Sequence, residues 1–288
     1  MFKVAVLGPL GTYTHEAAHK LFGPGVEYYD RDTIEGVFQA LPAIADAGVV
    51  PQENSIFGNV IETYDNLREA GFVRGEVTLE VMHCLLVRPG VKLQDIQKVL
   101  SHEQALGQCR GFLRTHLPSA SLVKTSSTAA AARALLDNSS NCAAICSRVC
   151  ASLFGLTILY EGIQDETANF TRFYLITSDN KVALPTWLPT IEPSRALIRI
   201  LAEIHPSSTG PGISKFLAAL QLDFIRIDRR PSPKSSLSQY VYFVELQGDP
   251  NTEAQRVDTW SSRVGRAVQR VEEAGGVVEI IGLWPHRQ

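Results

Sequence analysis

No apolar run in this 288-residue chain approaches the roughly 18 residues needed to cross a bilayer. A predicted strand begins at the second residue, so neither a membrane anchor nor a cleaved leader is expected, and the chain is read as cytoplasmic. Basic clusters are also missing: the net charge is −3, and the only Lys/Arg concentration is the short segment Arg226 to Arg230. Nucleic-acid binding therefore has no electrostatic support. The five cysteines are an odd number and do not form a spaced framework, which points to core thiols in a reducing compartment. Neither G-x-x-x-x-G-K-[ST] nor G-x-G-x-x-G occurs, which argues against a dedicated nucleotide-phosphate loop.

One stretch asks for a metal. His15-Glu16-Ala17-Ala18-His19 matches H-E-x-x-H, in which two imidazoles on one helix face hold zinc and the glutamate activates water. That chemistry needs a third ligand downstream and a substrate-binding strand upstream. Only fourteen residues precede His15, and they read as one strand and a Gly/Pro turn; His83, His102, His116, His205 and His286 are scattered. The bland reading is a helix with Ala17, Ala18 and Leu21 turned inward and no metal. Cys142, Cys146 and Cys150 resemble a ligand ladder, but a strand turning into a helix near Ser147 is expected to keep them from sharing a face, leaving them as packing residues.

What is present is alternation. Strand KVAVL (3–7) precedes helix 14–22, VEYY (26–29) precedes helix 33–42, and AGVVP (47–51) precedes helix 60–70. Residues 74–87 are long and β-rich, read as strands crossing between two lobes. Then 98–100 leads to helix 103–115, 121–124 to helix 128–137, 142–145 to helix 147–154, and RFYLIT (172–177) closes the region. This is the pattern of parallel α/β layers, and two such lobes enclose a cleft. Three prolines (185, 189, 193) mark residues 179–195 as a linker. Beyond it, strand 196–204, helix 212–220, strands 223–229 and 239–246, helix 253–274 and strand 277–283 give the ferredoxin-like βαββαβ order. A small module placed there is read as regulatory or dimerising.

Ligands of open α/β sheets sit at the carboxyl ends of strands. Here those ends carry Thr12-Tyr13-Thr14, Gln52-Glu53-Asn54-Ser55, Ser101-His102-Glu103-Gln104 and Thr125-Ser126-Ser127-Thr128, while Asn169-Phe170-Thr171-Arg172 precedes the last strand. Each cluster alone reads as a helix cap. Five in one topological place, with helix N–H groups converging, suit an anionic small molecule.

Taken in order, the motifs resemble one family. Gly8-Pro9-x-Gly11-Thr12-Tyr13-Thr14-His15-Glu16-Ala17-Ala18, Pro51-Gln52-Glu53-Asn54-Ser55 with Gly58, Ser101-His102-x-Gln104-Ala105-Leu106-x-Gln108-Cys109, Ser127-Thr128-Ala129-x-Ala131, Gly155-Leu156, Gln164-Asp165 and Asn169-x-Thr171-Arg172-Phe173 look like prephenate dehydratase. The resemblance covers essentially the whole chain and absorbs HEAA, leaving His19 to complete the zinc pattern by chance. It implies a periplasmic-binding-protein-like two-lobed catalytic domain over 1–178, the linker 179–195, and an ACT regulatory domain over 196–288. It also implies conversion of prephenate to phenylpyruvate, water and CO2 in phenylalanine synthesis, with no cofactor. A preceding chorismate mutase segment is not expected.

The same resemblance assigns Thr171 of the T-R-F motif to the leaving C4 hydroxyl, as a proton shuttle whose geometry matters more than its acidity. Thr12, Asn54, Ser55, His102, Gln104, Ser127, Thr128, Asn169 and Arg172 are the expected substrate contacts. His102 is also readable as a cap, and Arg172 as a structural ion-pair partner. Phenylalanine is the expected effector, held between paired ACT domains by Gly212, Ile213, Asp228, Arg229, Arg230 and Pro231, which implies a homodimer or homotetramer. Both effector motifs depart from the family pattern: Ser214 stands where leucine is usual, Arg229 replaces a serine, and Asp228 a glutamate. Gly212 is read as letting the ligand approach the turn. Alternatives are arogenate as substrate, a two-lobed anion sensor without turnover, and the zinc hydrolase.

Overall fold

The computed structural model describes residues 1–137, 141–166, 168–188, 191–203, 212–232, 239–248 and 258–286. The chain divides into two compact units, Met1–Val60 with Val77–Phe173, and Ile61–Glu76 with Tyr174–Gln288. Pro189, Pro211, His205 and the expected helix start at 253–257 lie outside the described residues.

In the first unit, KVAVL forms β1 (Lys3–Leu7), whose Val4, Ala5 and Val6 are wholly buried. It runs parallel to β2 (Glu27–Arg31) on one side and β3 (Ala47–Asn54) on the other. The crossovers are α1 (Tyr13–Phe22) and α2 (Ile34–Gln39), started by the caps Thr12 and Thr33, whose hydroxyls accept from His15 N and Gly36 N. β4 (Gly58–Asn59) turns back on β3; the chain then enters the second unit with α3 (Ile61–Leu67) and returns along β5 (Phe72–Glu80).

A second sheet forms the other lobe: β6 (Cys84–Val87), β7 (Lys98–Ser101), β8 (Ser121–Lys124), β9 (Cys142–Cys146) and β10 (Thr157–Tyr160), in the order β10-β6-β9-β7-β8. β7 is parallel to β8 and β9, whereas β6 returns antiparallel between β9 and β10. The expected common direction therefore holds for β7, β8, β9 and β10, and β6 alone runs the other way and makes the sheet mixed. Its helices are α4 (Glu103–Gln108), α5 (Arg110–His116), α6 (Thr128–Ala134) and α7 (Val149–Phe154). The single helix expected over 103–115 is broken at Cys109, a wholly buried residue at φ −111°, ψ 19°. Asp165 fills the break: its N–H donates to Gln108 O at 2.7 Å, and its carboxylate accepts from Gly111 N at 2.9 Å. β11 (Phe170–Thr177) then runs beside β3.

The cysteines correct the expectation that they cannot share a face. In a strand, residues four apart project to the same side. Cys142, Ala144 and Cys146 face one core, joined there by Cys84 and by Cys150 from α7, while Ala143 and Ile145 face the other. All five cysteines are free and buried.

The second unit contains β12 (Arg195–Glu203), α8 (Ile213–Leu220), β13 (Phe224–Pro231), β14 (Gln239–Gln247), α9 (Trp260–Glu273) and β15 (Val277–Trp284). The order β13-β14-β12-β15 with antiparallel pairing is ferredoxin-like. Alternate residues Ala196, Ile198, Ile200, Tyr242, Val244 and Leu246 pack under Phe216, Leu220, Val264 and Val271 of the two helices. On the opposite face, Tyr64 of α3 meets Phe243 edge to face at 5.2 Å. Gly282 of β15 pairs with Val73 of β5, and a Cβ there would lie 2.8 Å from Val73 Cβ and 2.9 Å from the buried Trp284 ring. Gly282→Ala is expected to destabilise the protein by about 2 kcal/mol through overpacking, read as a lower urea midpoint at unchanged slope. An unchanged midpoint would show that the strand yields without cost.

Candidate active site

The carboxyl end of β3 and the start of β11 meet through one amide. Asn54 Nδ2 donates to Asn169 Oδ1 at 2.7 Å, Thr171 Oγ1 at 2.9 Å and Phe170 O at 3.2 Å. Its Oδ1 accepts from Ile56 N at 2.9 Å and Phe57 N at 3.0 Å, closing the turn that follows β3. Ser55 completes the joint: its N–H donates to Phe170 O at 2.8 Å, and its Oγ accepts from Phe170 N at 2.9 Å. Four expected site residues, Asn54, Ser55, Asn169 and Thr171, are thus one hydrogen-bonded group.

Asn169 also lines a cavity of about 270 Å³ between the lobes. Its polar wall is His83, Gln108, Gln164 and Asn169, with Ile56 and Val81 apolar and Asp165 and Glu166 at the side. No Lys or Arg is among these lining residues, so an anion here would be held by neutral N–H donors. His83 Nδ1 lies 2.6 Å from the Tyr13 hydroxyl, its Nε2 lies 2.7 Å from Gln108 Oε1, and its N–H donates to Gln164 Oε1 at 2.9 Å. Burial holds the His83 imidazole below its ordinary range, partly offset by the Gln108 bond, and pushes the Tyr13 phenol up. Tyr13, His83 and Gln164 were not among the residues expected to touch substrate. A polar His83 set in the apolar run VMHCLLV is the signal that marks it.

The remaining expected contacts are placed differently. Thr12 Oγ1 donates to Leu7 O at 2.8 Å and caps α1. His102 is exposed and caps α4, its Nδ1 accepting from Gln104 N at 3.3 Å. It does not line the cavity, and neither does exposed Gln104. Ser127 caps α6 by accepting from Ala130 N at 3.0 Å, with Thr128 as that helix's first residue. Arg172 is half-buried, and strand alternation sets it on the opposite face of β11 from Thr171.

Among the expected effector residues, Gly212 precedes α8 at φ −72°, and nothing lies within 4 Å of a Cβ built there, so this backbone does not itself demand glycine. Ile213 opens the helix. On β13, Asp228 pairs with Arg226 at 2.5 Å, the Arg229 guanidinium lies 4.5 Å from the Tyr240 ring centroid, and Arg230 grips Asp65 with two bonds of 2.7 and 2.8 Å. Pro231 O accepts from Arg68 Nη1 at 2.7 Å.

The zinc-like motif has other work. His15 is buried, its Nδ1 accepting from Gly11 N at 3.1 Å, with its ring edge to face with Tyr28 at 4.7 Å; burial lowers its pKa to about 4. The His19 ring centroid is 6.4 Å away. Among the described residues, no group of three His, Cys, Asp or Glu side chains is arranged to hold a metal ion. Glu16 accepts from the N–H groups of Arg148 and Val149 at the start of α7, where Arg148 gives no side-chain cap. Its Oε2 is buried without a protein partner among the described residues. Burial raises its pKa from 4.5 to about 7.

A carboxyl raised in the folded state favours folding most below its unfolded pKa, and that contribution is lost as pH rises through about 7. Glu16→Gln is therefore expected to match wild type near pH 4 and to be more stable by on the order of 2 kcal/mol at pH 8. Urea unfolding at both pH values checks this, and parallel pH profiles for the two proteins would count against it.

The family model for prephenate dehydratase matches residues 4–181. A bifunctional chorismate mutase/prephenate dehydratase of Aquifex aeolicus is 32% identical over 98% of this chain and 73% of its own length. Arogenate dehydratase 5 of Arabidopsis thaliana is 33% identical over 98% and 67%. Among solved structures, prephenate dehydratase of Arthrobacter aurescens in complex with L-Phe aligns at TM-score 0.73 and 29% identity, covering 99% of this chain and 90% of that one. GqqA, a novel type of quorum quenching acylase, aligns at TM-score 0.76 and 25% identity, covering 99% and 98%. With the ordered motifs and the two-lobed site, the match over more than half its length makes this chain a member of the prephenate dehydratase family.

Proposed function

We propose that the chain catalyses the decarboxylating dehydration of prephenate to phenylpyruvate in phenylalanine synthesis, with Thr171 serving the leaving hydroxyl. The observation that carries this is the Asn54 contact. Its N–H occupies a lone pair of Thr171 Oγ1, which leaves the threonine's own proton free to donate. As the ring carboxylate departs as CO2, its C–C electron pair enters the ring. The C4–O bond breaks, and the hydroxide takes one proton to leave as water. The cavity's amides, from Gln108, Gln164 and Asn169, suit the carboxylate and hydroxyl oxygens of such a substrate.

The division of labour we propose is residues 1–178 as the catalytic domain, 179–195 as linker, and 196–288 as an ACT regulatory domain that takes phenylalanine in a homodimer or homotetramer. The ferredoxin-like strand order and the L-Phe complex of the Arthrobacter relative support it. No helix among the described residues is long and apolar enough to cross a membrane, and we place the protein in the cytoplasm.

Arogenate differs from prephenate by an amine in place of the side-chain keto group, and the arogenate dehydratase relative makes it the second substrate to try. Turnover of each substrate by purified protein, with and without phenylalanine, tests the proposal. Prephenate consumption with phenylpyruvate formation is expected, and the absence of turnover with either substrate would overturn it.

A further inference from the structure

We propose that His83 is a positioning residue that fixes the orientation of the Gln108 amide, so that its N–H groups face the cavity and bind a substrate oxygen; this rests on the dehydratase reading. Gln108 Oε1 can only accept, so His83 Nε2, 2.7 Å away, must carry a proton. The ring is buried and its pKa is lowered, which leaves Nδ1 as the acceptor; the Tyr13 hydroxyl is the donor, since it lies 2.6 Å from Nδ1 but 3.3 Å from its other acceptor, Met82 O. Tyr13 thus selects the Nε2–H tautomer, that tautomer holds Gln108 Oε1, and the amide nitrogen is left for the cavity that Gln108 lines. Without this chain, a flip of the amide would present an oxygen lone pair to an anionic substrate. The Gln164 bond to His83 N pins the backbone of the same residue from a second side.

Glutamine places an amide N–H near the position of the histidine Nε2, whereas leucine offers none. His83→Leu is expected to raise KM for prephenate by about ten- to a hundredfold, the range for losing a hydrogen bond to a charged group, with kcat changed less. His83→Gln is expected to recover most of that loss. Tyr13→Phe, which leaves the donor in place but releases the tautomer, is expected to raise KM severalfold. In protein labelled with 15N-histidine, the unliganded wild type is expected to show His83 as the Nε2–H tautomer, and Tyr13→Phe a mixture. The spectroscopic arm needs no turnover, so it separates failure of this inference from failure of the dehydratase reading. An Nδ1–H tautomer in wild type, or equal KM values for His83→Leu and His83→Gln, would overturn it.

Discussion

Thr171→Ala is expected to lower kcat for prephenate by about a thousandfold, within the range that a positioned proton donor contributes, while Thr171→Ser keeps kcat within about tenfold of wild type. A threonine hydroxyl is a weak acid, so it helps only if its proton is aimed at the leaving oxygen when the C4–O bond breaks. The Asn54 bond at 2.9 Å supplies that aim by filling an acceptor site on Oγ1, and Thr171 is itself 9% exposed, which limits exchange of its partner for water. Serine keeps the hydroxyl but has more rotamer freedom than a β-branched side chain, hence a moderate loss. In the alanine variant, Asn54 retains Asn169 Oδ1 and Phe170 O as acceptors, so stability should change by only about 1 kcal/mol. Stopped assays of phenylpyruvate at saturating prephenate, with urea midpoints on the same samples, separate chemistry from folding. An alanine variant as fast as wild type would remove Thr171 from the mechanism.

That Asn54, Ser55, Asn169 and Thr171 would come together was legible, because polar residues at strand ends in an α/β pattern converge on one edge of the sheet. The strand at 121–124 was legible to the residue, and the helix ending at Phe22 at its C-terminal end. What was not legible depended on partners far apart in the chain. His83 meets Tyr13 across 70 residues and Gln108 across 25, and no local pattern announces either contact. The break at Cys109 has the same origin, because the residue that fills it, Asp165, follows three strands later in the sequence. His102 was open in the sequence between substrate contact and helix cap, and its imidazole is turned back on its own helix as the cap. The cysteine misreading lay at the turn from strand to helix: Cys142 and Cys146 share one strand face, and α7 folds back so that Cys150 meets them in the same core.

Asn54→Asp is expected to lower kcat/KM by at least about a hundredfold while leaving the fold intact. The carboxylate preserves the Oδ1 that accepts from Ile56 N and Phe57 N, so the turn after β3 should survive. What it loses is the donor. Three acceptors, Asn169 Oδ1, Thr171 Oγ1 and Phe170 O, would then face a negative charge at 2.7 to 3.2 Å instead of an N–H. Thr171 has one resolution open to it: its hydroxyl turns to donate to the new carboxylate, and the proton meant for the leaving oxygen is spent on residue 54. Asn54→Asp should therefore resemble Thr171→Ala in kcat, and the double variant should be little worse than either single one, as for groups that act as a unit. Acid restores part of the loss, because the protonated carboxyl is again a donor. The activity of the Asp variant relative to wild type should climb as pH falls, whereas for Thr171→Ala the ratio stays flat. Additive losses in the double variant, or a flat ratio for Asn54→Asp, would mean that Asn54 acts on the substrate directly and not through Thr171.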